Sequence, residues 1–315
     1  MNLLSGFIAQ ILHTLLMLAA APLLVGIRRW LEARLAGHAG PGLLQYWRDL
    51  LRLSRKETVL AESASTISAA SPLISAASIV VALSLVPSFA LGMTFAPLGD
   101  LLVIAGLLAL ARGSLALANM DAGTAFGGMS ASRSMALGGL SEPALLLVVF
   151  VLALLAGSSN LDLVAAMQQE TATAWRAGVS IALAATLLIA IVDIGIGSAS
   201  QAHPTLRQRA ATAEFSAGDL ALIDATDTLR LLLWFNLIGA MFLPFGMAPA
   251  GAGPLAWPLG LLCWVGRTLL FTLLLAALPG LLGPLRLMRA SRMAGVAILL
   301  GLLAAALLFA DMGAA

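Results

Sequence analysis

The chain reads as a succession of apolar runs broken by short polar or basic stretches. A helix that crosses the hydrocarbon core of a bilayer needs about 20 predominantly apolar residues. Eight runs approach that length: Phe7–Ile27, Ile67–Leu91, Leu98–Ala118, Pro143–Gly157, Gly178–Gly197, Leu229–Met247, Trp257–Leu278 and Met293–Ala310. Pro143–Gly157 is short, so its helix is expected to begin some residues earlier. The pattern predicts an all-α, polytopic integral membrane protein of about eight transmembrane helices, in one membrane domain over residues 1–315. The runs do not resemble one another, and the longest polar break is Arg28–Thr66.

Composition strengthens this picture. Of the 315 residues 61% are hydrophobic and only 10% charged, against about 25% charged in an ordinary soluble domain. The solvent is therefore lipid, and a soluble enzyme domain is excluded. With no basic residue before Leu12, the first run reads as a retained helix rather than a cleaved signal.

The small net charge of +2 points to no nucleic-acid partner, but the placement of the basic residues is informative. Alternate breaks hold Arg28, Arg29, Arg34, Arg48, Arg52, Arg55 and Lys56; then Arg112 and Arg133; then Arg207, Arg209 and Arg230; then Arg286, Arg289 and Arg292. By the positive-inside rule these breaks face the cytoplasm, which puts both termini outside. Trp30, Tyr46, Trp47, Trp175, Trp234 and Trp257 fall near span ends, as an interfacial aromatic belt requires; Trp264 does not.

Leu43–Lys56 (LLQYWRDLLRLSRK) places Leu43, Leu44, Trp47, Leu50 and Leu51 at helical spacing, with Arg48, Asp49, Arg52 and Arg55 elsewhere. It predicts one amphipathic helix flat on the cytoplasmic surface. The helix serves either as a basic anchor on anionic lipid or as a docking ledge for a soluble partner. Arg28, Arg29, Arg34, Gln45, Arg48, Asp49, Arg52, Lys56, Glu57 and Arg133 are the candidate docking residues.

Charges in or beside spans are costly and need a reason. Asp193 lies near the cytoplasmic end of the fifth run; it reads either as a boundary residue in headgroup water or as a buried carboxylate suited to proton relay. Glu142 precedes Pro143, where it complements a helix start or serves as a relay group. Glu214, Asp219, Asp224 and Asp227 cluster before the sixth run, either as a solvated helix start or as the lining of a proton entry path. Arg267, deep in the seventh, needs a carboxylate partner or a wet cavity. His13, with Gln10 one turn earlier, reads as an interhelical hydrogen-bonder. Cys263 is the only cysteine, so an iron–sulfur cluster cannot be held by this chain alone, and any redox centre belongs to a partner.

Several segments carry a resemblance. Arg28–Glu57, with Gly40-Pro41, Gly42–Gln45, Asp49, Arg52-Leu53 and Lys56-Glu57, resembles the stretch after the first helix of complex I subunit 1. It is most similar to that subunit's relatives in group 4 nickel–iron hydrogenases of the hydrogenase-4 and formate hydrogenlyase type. Phe126-Gly127-Gly128, Ser132-Arg133 and Glu142-Pro143, then Ala213–Leu222 (AEFSAGDLAL) and Leu285–Arg289, resemble later segments of the same family. The resemblance implies eight spans and a membrane-anchoring, proton-path subunit with no catalytic centre of its own. It also implies a bacterial or archaeal inner membrane, hydrophilic subunits with nickel–iron and iron–sulfur centres at the cytoplasmic face, and antiporter-like membrane neighbours. Quinone is the less favoured ligand, as in a complex I subunit proper. Across Asp193–Ala213 the match degrades: Ile196 stands where an Arg is expected and acidic positions are missing. A stand-alone transporter or channel and a passive scaffold stay open as alternatives.

Overall fold

The computed structural model describes residues 3–59, 64–170, 177–194, 214–282 and 287–314. Ten α-helices make up the described chain: α1 Leu3–Leu35, α2 Gln45–Ser54, α3 Thr66–Leu85, α4 Leu101–Asp121, α5 Ala125–Ala156, α6 Leu161–Glu170, α7 Ala177–Ile194, α8 Ala217–Phe242, α9 Trp257–Leu282 and α10 Leu287–Ala314. Extended structure among the described residues is confined to two isolated bridges, Ala90 with Ala248 and Asp100 with Asn160.

Among the described residues, six helices are long and apolar enough to cross a membrane: those at Gly6–Leu35, Thr66–Leu85, Leu101–Asp121, Ala125–Ala156, Trp257–Leu278 and Ala290–Ala310. The other two expected spans also fall on helices. The apolar part of α7 is the shorter Gly178–Ile194, and α8 carries Asp219, Asp224, Asp227 and Arg230 along its first half. The protein is therefore an all-α, multi-pass membrane protein.

Polar residues start and stop the helices where the sequence supplies caps. The side chains of Ser65, Asp100 and Thr124 accept from the amides of Ile67, Leu102 and Gly127, which would otherwise be orphaned at the starts of α3, α4 and α5. Gly157, at φ 68°, closes α5 in the left-handed region.

Loop contacts sort the helix ends into two sets. At one end, Val59 and Ser216 exchange hydrogen bonds of 2.8 Å, the Ser65 amide donates to Asp121 at 2.7 Å, and Thr124 bonds Glu214. This joins the segment after α2 and the C-terminus of α4 to the N-termini of α3, α5 and α8; it is the basic end. At the other, the Leu91 amide donates to the Ala248 carbonyl at 2.9 Å, Leu101 to Ser159 at 3.0 Å, and Gln169 to Pro244 at 2.9 Å. Successive spans thus run in alternating directions.

The second half of α8 is buried around its whole circumference from Leu231 to Phe242, as a helix apolar on all sides must be. Lipid offers no hydrophobic drive between helices, so packing and interhelical hydrogen bonds, about 0.6 kcal/mol each, hold such a bundle. Asn236 supplies two of them. It accepts from the Trp264 indole at 2.8 Å and donates to the Met17 sulfur at 3.1 Å.

Four expectations change. α5 begins at Ala125, well before Pro143, so Glu142 stands in mid-helix and not at a helix start. Arg112 and Arg133 lie inside α4 and α5 rather than in breaks. On α2 the packed face is Tyr46 and Leu50, set against Val25, Leu231, Phe235 and Leu275, while Leu43, Leu44 and Leu51 stay exposed. Trp234 is not in an aromatic belt; it is 1% exposed, in the centre of the bundle.

Candidate functional site: a buried charge cluster

The site grows from one residue. Arg112, halfway along α4, lies within an apolar span, and two neighbouring helices, α5 and α7, supply its partners. Its Nη1 donates to Glu142 Oε1 on α5 at 2.8 Å and to Ser141 Oγ at 3.3 Å. Its Nη2 pairs with Asp193 Oδ1 on α7. The second Asp193 oxygen accepts from the Trp234 indole of α8 at 2.7 Å. Planar guanidinium is the side chain suited to this, because its donors diverge toward two carboxylates at once.

Two features of α5 make room. A Cβ on Gly138 would stand 2.9 Å from Arg112 Nη1 and 3.1 Å from Glu142 Oε1, so only glycine admits the pair without displacement. Pro143 has no amide hydrogen, which loosens the helix beside the carboxylate.

Exposure grades the cluster from inside to outside. The Asp193 side chain is 2% exposed, Arg112 12% and Glu142 41%. Asp193 is therefore not a headgroup-solvated boundary residue; it is sealed in. Glu142 opens onto a cavity of about 170 Å³ between α4 and α5, lined also by Leu102, Gly106, Leu145 and Leu146.

Toward the basic end a second group follows. The charge of Arg230 acts on both Asp193 and Asp227. One turn earlier on α8, the Asp224 carbonyl accepts from the Tyr46 hydroxyl at 3.1 Å, and the Arg29 guanidinium lies 4.5 Å over the Tyr46 ring. Burial and the neighbouring Asp227 push the Asp224 carboxyl up to about 6, against the opposing pull of Arg29. Burial, then Asp224 and Asp227, drive the Tyr46 phenol well above its usual range, so it is a permanent donor. Asp219 sits in the first turn of α8, where it complements the helix dipole. Glu214 is held on the Thr124 hydroxyl at the start of α5.

Arg267 does not join this group. Its Nη1 donates to the Leu243 carbonyl at 2.8 Å and its Nη2 to the Ser88 carbonyl at 3.0 Å, just past the ends of α8 and α3. Its counter-charge is thus two helix C-termini rather than a carboxylate. His13 stands in the same polar knot: Nε2 donates to the Leu83 carbonyl at 3.0 Å, and Nδ1 meets Ser88 Oγ at 2.7 Å. It is an interhelical hydrogen-bonder.

The docking residues divide similarly. Arg48, Arg52, Lys56 and Glu57 are exposed on and after α2. Gln45 bonds Asp49 at 3.1 Å, Arg34 covers the Trp30 ring, and Arg133 is half-buried on α5. Arg28 is corrected: it is 4% exposed and ion-paired with Glu32 at 2.7 Å, so it faces inward. Residues 195–213, which hold the degenerate stretch with Ile196, Arg207 and Arg209, lie outside the described residues, as do Trp175, Arg176 and Arg286.

Sequence reasoning missed Arg112 and Trp234 as members of the site. The signal for Arg112 was present, since it falls within the apolar run Leu98–Ala118 and an intramembrane arginine demands a partner. For Trp234 no signal existed; its role depends on where α7 packs. Among the described residues, no three His, Cys, Asp or Glu stand together as metal ligands.

The alternating bundle with an intramembrane charge cluster defines a polytopic membrane protein. The chain belongs to the NADH dehydrogenase family, which it matches across residues 8–310. It is 32% identical over 240 residues to hydrogenase-4 component C of Escherichia coli (strain K12), covering 75% of each chain. It is 29% identical over 242 residues to formate hydrogenlyase subunit 4 of the same organism, covering 75% of this chain and 77% of that one. The fold is similar to a chain of the membrane-bound sulfane sulfur reductase, an archaeal respiratory membrane complex, with a TM-score of 0.74 over 93% of this chain and 99% of that chain at 16% identity.

Proposed function

We propose that this chain is the membrane-anchoring and proton-path subunit of a hydrogenase-like oxidoreductase complex. The similarity to hydrogenase-4 component C and formate hydrogenlyase subunit 4 supports the class of complex. One observation carries the proton-path part: Arg112 bridges Glu142 and Asp193 inside the membrane.

Two carboxylates on one guanidinium leave a single negative charge in excess, so the cluster holds one exchangeable proton more readily than an isolated ion pair. In a medium of effective dielectric about 20, a unit charge about 4 Å away is worth about 4 kcal/mol. A change of charge near Asp224 and Asp227 therefore reaches Asp193 through Arg230, and Glu142 through Arg112, with no large motion. The basic end faces the cytoplasm and both termini face out. There the exposed Arg48, Arg52 and Lys56 of the α2 ledge receive the hydrophilic arm, whose metal centres carry the electrons. Antiporter-like membrane subunits take up the proton movement.

The test is purification in mild detergent, then reconstitution in liposomes. Recovery of nickel, iron and large soluble subunits supports the complex; a metal-free lone chain that moves solute supports a transporter instead. In the intact complex, Glu142→Gln and Asp193→Asn are expected to abolish proton translocation while electron transfer from donor to acceptor persists. Wild-type translocation in both variants would remove the cluster from the path.

A further inference from the structure

The outward face of α4 combines an apolar seam with an intramembrane charge at its edge. Val103, Gly106, Leu110, Gly113, Leu117 and Met120 recur at alternating three- and four-residue steps, the spacing of a helix–helix seam. The four larger side chains are each about half exposed. Among the described residues, nothing lies within 4 Å of where a Cβ would stand on Gly106 or Gly113. A groove of about 500 Å³ flanks the seam on the α3 side, with Ile67, Ala70 and Ile74 opposite Leu110, Gly113 and Leu117. On the α5 side lies the smaller cavity that contains Glu142.

The charge at that edge identifies the occupant. Glu142 is 41% exposed in the middle of a membrane-spanning helix, and its cation is shared with the sealed Asp193. Acyl chains cannot solvate an ionised carboxylate. The outward face of α9, with Leu259, Leu262, Gly266, Leu269 and Leu273, has the same spacing and an equally open glycine but no comparable charge, and suits lipid.

We propose that the α4 seam is the docking face for one transmembrane helix of a neighbouring subunit. That helix approaches closely over Gly106 and Gly113, fills the flanking grooves with apolar side chains, and carries a Lys or Arg near its midpoint that completes the pairing of Glu142. The inference rests on the reading that the chain works within a multisubunit membrane complex. It does not depend on proton relay through the cluster.

Photo-crosslinking in intact membranes tests it, with a photoreactive phenylalanine analogue at Leu110 or Leu117 and, as a control, at Leu262. We expect a covalent adduct with another membrane subunit at Leu110 and Leu117, and lipid adducts alone at Leu262. Glu142→Lys is expected to lose most of the protein adduct through like-charge repulsion. Chain abundance and the Leu262 lipid adduct serve as the folding control. Lipid adducts alone at both seam positions, an adduct to a second copy of this chain, or a full adduct in correctly folded Glu142→Lys would each overturn the proposal. Since the adduct forms before purification, a membrane-subunit adduct without any recoverable metal-bearing arm would support the docking face and refute the redox reading.

Discussion

Arg112→Leu removes the one cation that the intramembrane cluster shares. The two halves of the cluster respond differently, and their exposures give the size of each response. In the detergent-solubilised chain Glu142, 41% exposed, can take up water or a proton, so its half is worth about 0–1 kcal/mol, as for a solvent-exposed pair. The Asp193 side chain is 2% exposed and would keep a single donor, the Trp234 indole. Breaking a buried pair by deleting one partner costs about 3–5 kcal/mol, because the remaining charge is stranded in low dielectric. The expected loss for Arg112→Leu is therefore about 3–5 kcal/mol, nearly all from Asp193. The double variant Arg112→Leu/Asp193→Asn, which leaves no stranded charge, should recover most of it, whereas Arg112→Leu/Glu142→Gln should recover about 1 kcal/mol at most. Arg112→Lys should be intermediate, since one ammonium cannot hold both carboxylates in their present geometry. Unfolding of the detergent-solubilised chain by increasing mole fraction of a denaturing detergent, followed by tryptophan fluorescence, reads these differences. Equal recovery by the two double variants, or a loss under about 1 kcal/mol for Arg112→Leu, would refute the assignment of Asp193 as the sealed partner.

The remaining predictions concern the edges of the site. Asp224 should titrate near its raised value of about 6. Because the folded value exceeds the ordinary one, ionisation opposes folding: the penalty is absent below about 4, grows as pH rises through about 6, and is constant above that. An infrared carboxylic-acid band with that midpoint, lost in Asp224→Asn, checks it. Tyr46→Phe should cost about 0.5–1.5 kcal/mol by deleting the bond to the Asp224 carbonyl and should leave the ring under Arg29 in place, read by the same detergent titration. Arg267→Met should destabilise the folded chain by about 3 kcal/mol, from two charge-assisted bonds to helix-end carbonyls. Properly folded complex carrying it should still translocate protons at the wild-type rate; a specific loss of translocation would restore Arg267 to the path. Gly239→Ala should give a similar phenotype, since its Cβ would stand 2.6 Å from Arg267 Nε.

Run length and composition determine the class of this protein without any coordinates. With 61% hydrophobic and 10% charged residues, only lipid is a compatible solvent, and in lipid the backbone must satisfy itself within helices. The caps at Ser65, Asp100 and Thr124 follow from local chemistry. Glu142 and Asp193 are visible as candidates because a charge near an apolar run is costly wherever it ends up.

Which charge meets which is another matter. Arg112 and Glu142 are 30 positions apart and Arg112 and Asp193 are 81 apart, so no local periodicity couples them; only the packing of α5 against both α4 and α7 does. The same holds for Arg267, whose position in a span is legible but whose partners are carbonyls past the ends of two other helices. It holds as well for α2, where amphipathicity predicts a surface helix and tertiary contact selects Tyr46 and Leu50 as its packed face. The one-dimensional pattern fixes how often a charge must be compensated, because desolvation is a property of each residue. The identity of the compensating group is a pairwise, long-range quantity, and it exists only once the helices have taken their places.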